Sequence, residues 1–599
     1  MVLKHLFLLL LLCTLLLADG NVTEGEGVET NSSRKSVLSV KKISIKGVKA
    51  FELSDLYEAL SIEYPGFFQF WKEKRATIRQ RLVPTLPLAL RSFYDSEGYY
   101  DARFEIKESA SVVNVKIEEG KPVRVRDINI SSDFDISGLV TFEKGERFRS
   151  KKFITIKSRI TEALLKEGYC SYDLDSKAFV DLEEHRVDIR FLLHKGGLCT
   201  FGDVTVKGLK RIDEKIVSSR VSAKKGSRFS TKAVQSSYAA IYGLHSFDSV
   251  LISIDRKFYN VVPVDITVEE MNKPYHVEAG AGYDTYVGSR VHGTFVKHNF
   301  FGNAQQLGIR GSWSALEQLG IVDFYKPLLL DLDGFGIDLG ISTGYSNLEF
   351  EGFRERKSFM KAFLKHESDK LTLSGGLSYE AIDISEVNNG VRRLPDDAYD
   401  TFLLLYPYFS IVYDARDSRL NPREGYYLSA YTEYGIPADA DSSLYLKTLF
   451  EARGVYSVSD LTMAAVAKIG SIDMQEESPH GIPESKKFFG GGAYSNRAYG
   501  YRELGVIVSP TEYLVSGAMS MVNLSFEMDY PLWGDLSAAL FTDNTMLTAG
   551  SYDFSGEIIT SAGVGIRYMT PVGPFKLDIG FNVDDPSFYG VSFQVGQSF

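Results

Sequence analysis

From about Tyr275 to Phe599 the chain is written in a two-residue period, and this constrains its fold more than any other feature. In YGVSFQVGQSF, Tyr589, Val591, Phe593, Val595 and Phe599 point one way while Gly590, Ser592, Gln594, Gly596 and Ser598 point the other. The segment before it sets Phe575, Leu577, Ile579 and Phe581 against Lys576, Asp578, Gly580 and Asn582. Alternation alone suits a soluble sandwich as well as a membrane barrel. Three features favour the barrel. Residues 1–20, MVLKHLFLLLLLCTLLLADG, carry a basic start and an apolar run from Leu6 to Ala18 that is too short to span a bilayer, the pattern of a secretory signal cleaved after Ala18. The chain finishes on an aromatic residue, and nearly pure strand pattern fills the region from 275 to 599. At roughly twenty residues per strand with its connection, that length predicts about sixteen antiparallel strands. In lipid such a sheet has to close, because an open edge strands backbone donors in hydrocarbon.

Beyond Ala18 no segment nears eighteen uninterrupted apolar residues, and hydrophobic residues are 44% of the chain, so a helical membrane protein is excluded. A net charge of −11 without a basic tract argues against nucleic acid as a partner. Past the signal only Cys170 and Cys199 remain, in a chain bound for an oxidising compartment; they form one structural disulfide or stay two buried thiols. The nine histidines are scattered, and HExxH, CxxC and GxSxG are absent. His366 and Glu367 lack the second histidine of a zinc helix, and the carboxylates of Asp396 and Asp397 sit in turn-like sequence. No catalytic site, metal site or cofactor is expected.

The first half reads differently. EKGERFRS at 143–150 returns as KKGSRFST at 224–231, and GKPVRVRDINI at 120–130 returns as GGLCTFGDVTV at 196–206. Each unit reads as strand, two helices, two strands. Phe153, Ile156, Ile160 and Leu164 fall at helical spacing and would face a sheet. Three such units fill 37 to about 270, each with an exposed sheet edge able to pair with another extended chain.

Several stretches now resemble one family, the outer-membrane barrel-assembly superfamily that includes BamA, TamA and the two-partner secretion transporters. GYDTYVGSRVHGTFVKHNFFGNAQQLGI at 282–309 is similar to the first hairpin of its TamA-like members, DARDSRLNPREGYY at 414–427 to its mid-barrel turn, and GVGIRYMTPVGPFKLD at 563–578 to its penultimate hairpin. The resemblance implies α+β POTRA repeats followed by an all-β transmembrane barrel. The expected domains are a signal peptide (1–18), a flexible leader (19–36), POTRA units at 37–119, 120–196 and 197–270, and a barrel over 271–599.

FFGGGAYSNRAYGYRELG at 488–505 resembles the family's sixth extracellular loop, which folds back into the lumen behind an arginine-glycine-aromatic tip. The matching residues are Arg497, Ala498 and Tyr499, with alanine in place of glycine. A left-handed Ala498 would cost roughly 1 kcal/mol relative to glycine. The family's phenylalanine-x-aspartate-x-glycine motif is matched by Phe541 and Asp543, with Thr545 in the glycine's place. The resemblance implies that Asp543 receives Arg497, since a guanidinium in a dehydrated lumen requires a matching carboxylate. Glu527 is a second candidate for the lumen. Gly490, Gly491 and Gly492 are the expected hinge, Tyr494, Tyr499 and Tyr501 the expected filling, and Arg502 is expected to be exposed.

With three repeats, the number found in TamA-like members, the resemblance implies a TamA-like insertase in the outer membrane, with its POTRA units in the periplasm. Its expected partners are a TamB-like periplasmic protein, unfolded outer-membrane clients and the lipid bilayer. First and last barrel strands meet at a seam that Gly280, Gly282, Gly590 and Gly596, near Phe599, would weaken so that it can part. The alternative is a two-partner secretion pore passing an unfolded polypeptide through the lumen.

Overall fold

The computed structural model describes residues 40–65, 75–254, 260–284, 288–332, 335–350, 352–387, 393–439, 442–475, 481–509, 514–570 and 573–595. The signal peptide, the leader, Gly596 and Phe599 lie outside the described residues. The chain forms two compact units, one ending at Gly197 and one beginning at Leu198.

The first unit contains two α/β sheets. In the first, Val40–Lys46 runs parallel to Val112–Glu118, which Arg103–Glu108 flanks antiparallel; the short strand Thr77–Arg79 closes the other edge. Helices Leu53–Ala59 and Leu86–Ser96 bury Leu56, Leu86, Leu90 and Tyr94 against Ile43, Val113 and Val115. The second sheet repeats the pattern, with Arg124–Ser132 parallel to Arg186–His194 and Asp173–Asp181 antiparallel to it. Helix Ser150–Lys166 buries Ile156, Ile160 and Leu164 on Val187, Ile189 and Phe191, and the Phe153 ring lies 5.6 Å from that of Phe191.

The expected first helix of this repeat does not form, whereas the second, carrying Phe153, Ile156, Ile160 and Leu164, does: among the described residues Ser150–Lys166 is its one α-helix. Residues 136–140 make a single turn in which Leu139 and Val140 N–H donate to the Ile136 carbonyl, while the Asp135 carboxylate takes the Ser137 N–H. Such side-chain competition, with Gly138 following, stops the segment short of a helical nucleus. Cys170 and Cys199 are both disulfide-bonded.

The second unit opens with a third sheet of the same topology, Thr200–Lys207 parallel to Val261–Glu270 and Phe247–Ile254 antiparallel to it. One carboxylate oxygen of Glu270, buried at the sheet's end, accepts the backbone N–H groups of Lys210, Arg211 and Ile212 at 2.7, 2.8 and 3.1 Å.

The barrel follows. Its strands are β1 (Tyr275–Asp284), β2 (Gly288–Lys297), β3 (Gln306–Ser314), β4 (Glu317–Leu332), β5 (Phe335–Phe350), β6 (Phe353–Glu367), β7 (Leu371–Glu386), β8 (Thr401–Asp414), β9 (Glu424–Pro437), β10 (Tyr445–Val458), β11 (Leu461–Met474), β12 (Ser520–Trp533), β13 (Leu536–Thr548), β14 (Ile558–Thr570), β15 (Gly573–Asn582) and β16 (Tyr589–Val595). They form one sixteen-stranded antiparallel sheet in chain order. The sheet is inside-out relative to a soluble protein. Leu524, Phe526, Leu540, Val564 and Ile566 stand on its exposed outer face, whereas Asn523, Glu527, Asp543, Arg567, Lys576 and Asp578 are buried within. An apolar outer band over a polar interior is the pattern of a lipid-embedded barrel.

Val564 is the middle residue of the thirteen in β14 and faces outward. Val564→Arg is expected to destabilise the barrel by about 2–4 kcal/mol, the cost of an arginine at the bilayer midplane, as read by urea titration of the protein folded in lipid.

Candidate functional site

The segment between β11 and β12 folds into a finger inside the barrel. Its two sides exchange backbone hydrogen bonds at Phe488 with Ala518 (2.9 and 2.7 Å) and at Gly490 with Leu504 (2.9 and 3.0 Å), and Gly492 N–H donates to the Tyr499 carbonyl. Gly491 and Gly492 turn the chain with φ of +97° and +88°, a region costly for any other residue. Gly490 has no positive φ; its missing side chain instead makes room for Thr545, whose methyl would lie 2.8 Å from a Cβ there. The threonine standing in the motif's glycine position is thus accommodated by a glycine of the loop.

Arg497 is buried at the finger's tip and docks on Asp543 by a bidentate fork, Nε and Nη2 each at 2.9 Å, with its own backbone N–H on the same carboxylate at 3.1 Å. Its Nη1 donates to Glu527 at 2.5 Å and lies 3.6 Å from Asp578. Arg567 completes the cluster, donating to Glu527 at 2.9 Å and to Asp578. The guanidinium carbon lies 3.4 Å above the centre of the Phe541 ring, so the plane is stacked as well as forked. Across the sheet Gly563 faces Phe541, and a Cβ there would meet that ring at 2.3 Å; the glycine is the space in which the ring lies flat.

Three sequence expectations are corrected here. Ala498 is not left-handed, so the anticipated strain does not arise; among the described residues of the loop the non-glycine with positive φ is Arg502, at 60°. Arg502 is not solvated either. Its guanidinium lies 4.6 Å from the Phe350 ring centre and 5.1 Å from that of Phe489, and it donates to the Ser485 carbonyl. Tyr494 and Tyr501 are exposed rather than packed as filling, and the ring stacked on the Arg497 guanidinium is that of Phe541. Tyr499 reaches the far wall, where Asn582 donates to its hydroxyl and the Phe588 ring stacks at 6.3 Å.

The finger is held at its root as well. Lys486 lies 2.8 Å from Glu380 on β7 and 3.8 Å from Glu433 on β9, with its ammonium 4.0 Å over the Tyr406 ring. Tyr406 donates to Glu380, and Tyr431 and Tyr445 donate to Glu433. The loop therefore crosses the lumen, rooted on β7–β10 and tipped on β12–β16. Sequence reading missed Lys486, Glu380, Glu433, Arg567 and the role of Asp578. The period of two turns Asp578 inward, but no motif pairs it with Arg497.

At the seam, β1 pairs with β2 and β16 with β15, and among the described residues no ladder joins β1 to β16. Gly280 sits opposite His292 in the β1–β2 register, and a Cβ there would meet the His292 ring at 2.3 Å; Gly282 lies two residues on in β1. Gly590 faces Gly580 on β15, and the pair receives the loop's tip.

Beside the seam, the turn between β2 and β3 docks on the third α/β sheet's unit. Asn303 accepts the Asp213 N–H at 2.9 Å and donates its own to the Arg211 carbonyl at 3.0 Å, and Gln306 donates to the Leu244 carbonyl. Arg220 meets Asp338 at 2.6 Å and Lys232 meets Asp369 at 2.8 Å. His298 is buried in this joint, its Nδ1 without a hydrogen-bond partner among the described residues, with the His245 and His276 rings 5.8 and 6.5 Å away.

An Omp85 superfamily domain matches residues 299–599, half of the chain. The chain belongs to the Omp85 superfamily. Residues 38–120 match the POTRA family, described as a surface antigen variable number repeat. Among relatives of this Omp85 chain, an outer membrane protein assembly factor BamA from Nitratidesulfovibrio vulgaris is 21% identical over 582 residues, covering 93% of this chain and 72% of the relative. That from Neisseria meningitidis serogroup B is 20% identical over 638 residues, covering 94% and 78%. The solved structure of Haemophilus ducreyi BamA lacking POTRA domains 1–3 superposes with a TM-score of 0.51 at 16% identity, covering 80% of this chain and all of that one. Like its superfamily, the chain is an outer-membrane barrel with periplasmic POTRA units.

Arg497→Ala leaves three carboxylates buried around one arginine fewer and is expected to cost about 3–5 kcal/mol. Arg497→Lys keeps the charge without the fork and should fall between the two. Protease cleavage of the loop in intact liposomes, alongside urea titration, measures both. Because Lys486 and Arg497 share no partner, the losses from Lys486→Ala and Arg497→Ala are expected to add within about 0.5 kcal/mol in a double-mutant cycle.

Burial, then the neighbouring His245 and His276, holds the His298 imidazole below its usual range. An imidazole kept neutral when folded but free to protonate when released binds more protons in the released state. Stability of the joint should therefore be full at neutral pH and fall as pH drops below about 6.5. Hydrogen exchange of residues 298–305 against pH should show this loss, and His298→Gln should flatten it.

Proposed function

We propose that the protein is an outer-membrane insertase that assembles or translocates β-barrel and autotransporter-type clients by parting its barrel between β1 and β16 and templating the incoming strand on an opened edge. The observation that carries this reading is the seam: every other pair of neighbouring barrel strands shares a ladder, and among the described residues this pair shares none. An unpaired edge holds backbone donors and acceptors that an extended client strand satisfies. The docked turn between β2 and β3 sets the β1 side against the preceding α/β unit, so clients held on that unit reach the opened edge first.

Three α/β units stand before the barrel, the number the resemblance assigns to TamA-type members, and this supports a long TamB-like periplasmic partner. The curated relatives carry the name BamA and the activity in it, assembly of outer-membrane proteins, which supports the same general reading. The work proposed is backbone pairing and local thinning of the bilayer.

Cysteine pairs scanning Val277–Ala281 against Val591–Phe593 are expected to crosslink across the seam. Once locked, the protein should lose the ability to fold a client barrel into liposomes and regain it on reduction. Full insertion by the locked form removes the reading. Co-purification from native envelope tests the partner, with a long periplasmic chain expected on the mature protein.

A further inference from the structure

Gly580 and Gly590 face each other across the β15–β16 ladder, and neither has a positive φ. Any residue could adopt their backbone conformation, so what glycine supplies here is space. The loop's tip fills it. A Cβ on Gly590 would lie 2.4 Å from the Arg497 carbonyl oxygen and 3.0 Å from the Ala498 carbonyl carbon. One on Gly580 would lie 2.8 Å from the Arg497 carbonyl carbon and 3.0 Å from the Ala498 nitrogen. Two facing glycines make a flat seat, and the peptide between Arg497 and Ala498 rests in it.

Beside the seat, Tyr499 reaches over the turn that joins the two strands, where it is bonded to Asn582 and stacked on Phe588. Arg497 itself is fixed to β12, β13 and β15 by Glu527, Asp543 and Asp578. The extracellular end of β16 is thus pressed against an element anchored to three other strands. The tip's peptide meets β16 at Gly590, near the strand's extracellular end, and among the described residues the ladder that β16 shares is with β15.

We propose that the loop's tip is a clasp that holds the extracellular end of the last strand onto β15, so that the seam parts from its periplasmic end. The inference rests on the lateral-opening reading above and gives it a direction. A client strand arriving from the periplasm meets the end of β16 that frays, while the clasped end keeps the barrel shut toward the outside. Arg497, Ala498 and Tyr499 act here as positioning residues for the seam.

The test is hydrogen–deuterium exchange, resolved to single amides, on the full chain in nanodiscs. Gly590 and Gln594 share one edge of β16, so their amides are directly comparable. In the wild type Gly590 is expected to exchange at least tenfold more slowly than Gln594. Gly580→Val fills the seat from β15 without altering β16. Valine is a far better strand residue than glycine, so if Gly580 is merely a weak spot the substitution should slow exchange at Gly590. If the glycines are a seat, it should speed that exchange at least tenfold and abolish the difference from Gln594.

Tyr499→Phe, which removes only the hydroxyl bond to Asn582, should produce a smaller change of the same sign and guards against misfolding of the valine variant. Gly454→Val on β10, where a Cβ meets nothing within 4 Å, should leave β16 unchanged. Equal protection at Gly590 and Gln594 in the wild type, or slower exchange in Gly580→Val, overturns the clasp. Exchange needs no client, so failure of client insertion by the wild type would count against the insertase reading and not against the clasp.

Discussion

In hydrocarbon a backbone N–H or C=O has no water to turn to, and every polar group of the peptide chain must find its partner inside the sheet. The second half of this protein is shaped by that requirement. It forces strands into a cylinder, puts leucine, valine and phenylalanine outside, and leaves the interior for whatever the outside cannot hold. It also makes one junction exceptional. Among the described residues fifteen of the strand-to-strand joints in the cylinder are hydrogen-bonded ladders, and the place where the first strand meets the last is not among them.

The interior meets the opposite difficulty. Charges removed from water are costly unless opposed at close range, and two clusters meet that cost in different ways. At the finger's tip, Arg497, Arg567 and Lys576 stand among Asp543, Glu527 and Asp578, three cations with three anions. At its root Lys486 is shared between Glu380 and Glu433, and tyrosine hydroxyls satisfy the remaining carboxylate oxygens. The walls holding root and tip face different parts of the loop, so the finger works as a strut across the lumen rather than as a flap hinged at one side.

Much of this was legible in the sequence, and for a physical reason: a two-sided sheet writes its two environments into alternate residues. The strands of the barrel, the inward set Lys576, Asp578 and Asn582, and the helix built on Ile156, Ile160 and Leu164 all follow from periodicity. Arg497 and Asp543 came from a motif, not from a period. What stayed hidden was contact between segments far apart in the chain. Lys486 in SPHGIPESKK looks like any solvated loop lysine, and Glu380 and Glu433 look like two inward carboxylates among several. Only closure of the cylinder brings them together. Arg502 misled for the same reason, since its two aromatic neighbours, Phe350 and Phe489, lie on separate segments. Gly590 reads as weakness because a sequence records the missing side chain and not the atoms that occupy its place.

The fit between Gly490 and Thr545 links their possible histories. The threonine methyl occupies volume that any side chain at 490 would need, and Asn523 donates to the threonine hydroxyl at 2.9 Å, fixing which way the methyl points. A larger residue at 490 therefore requires Thr545 to move or shrink. Two positions fifty-five apart in the gene are tied to each other by shared volume.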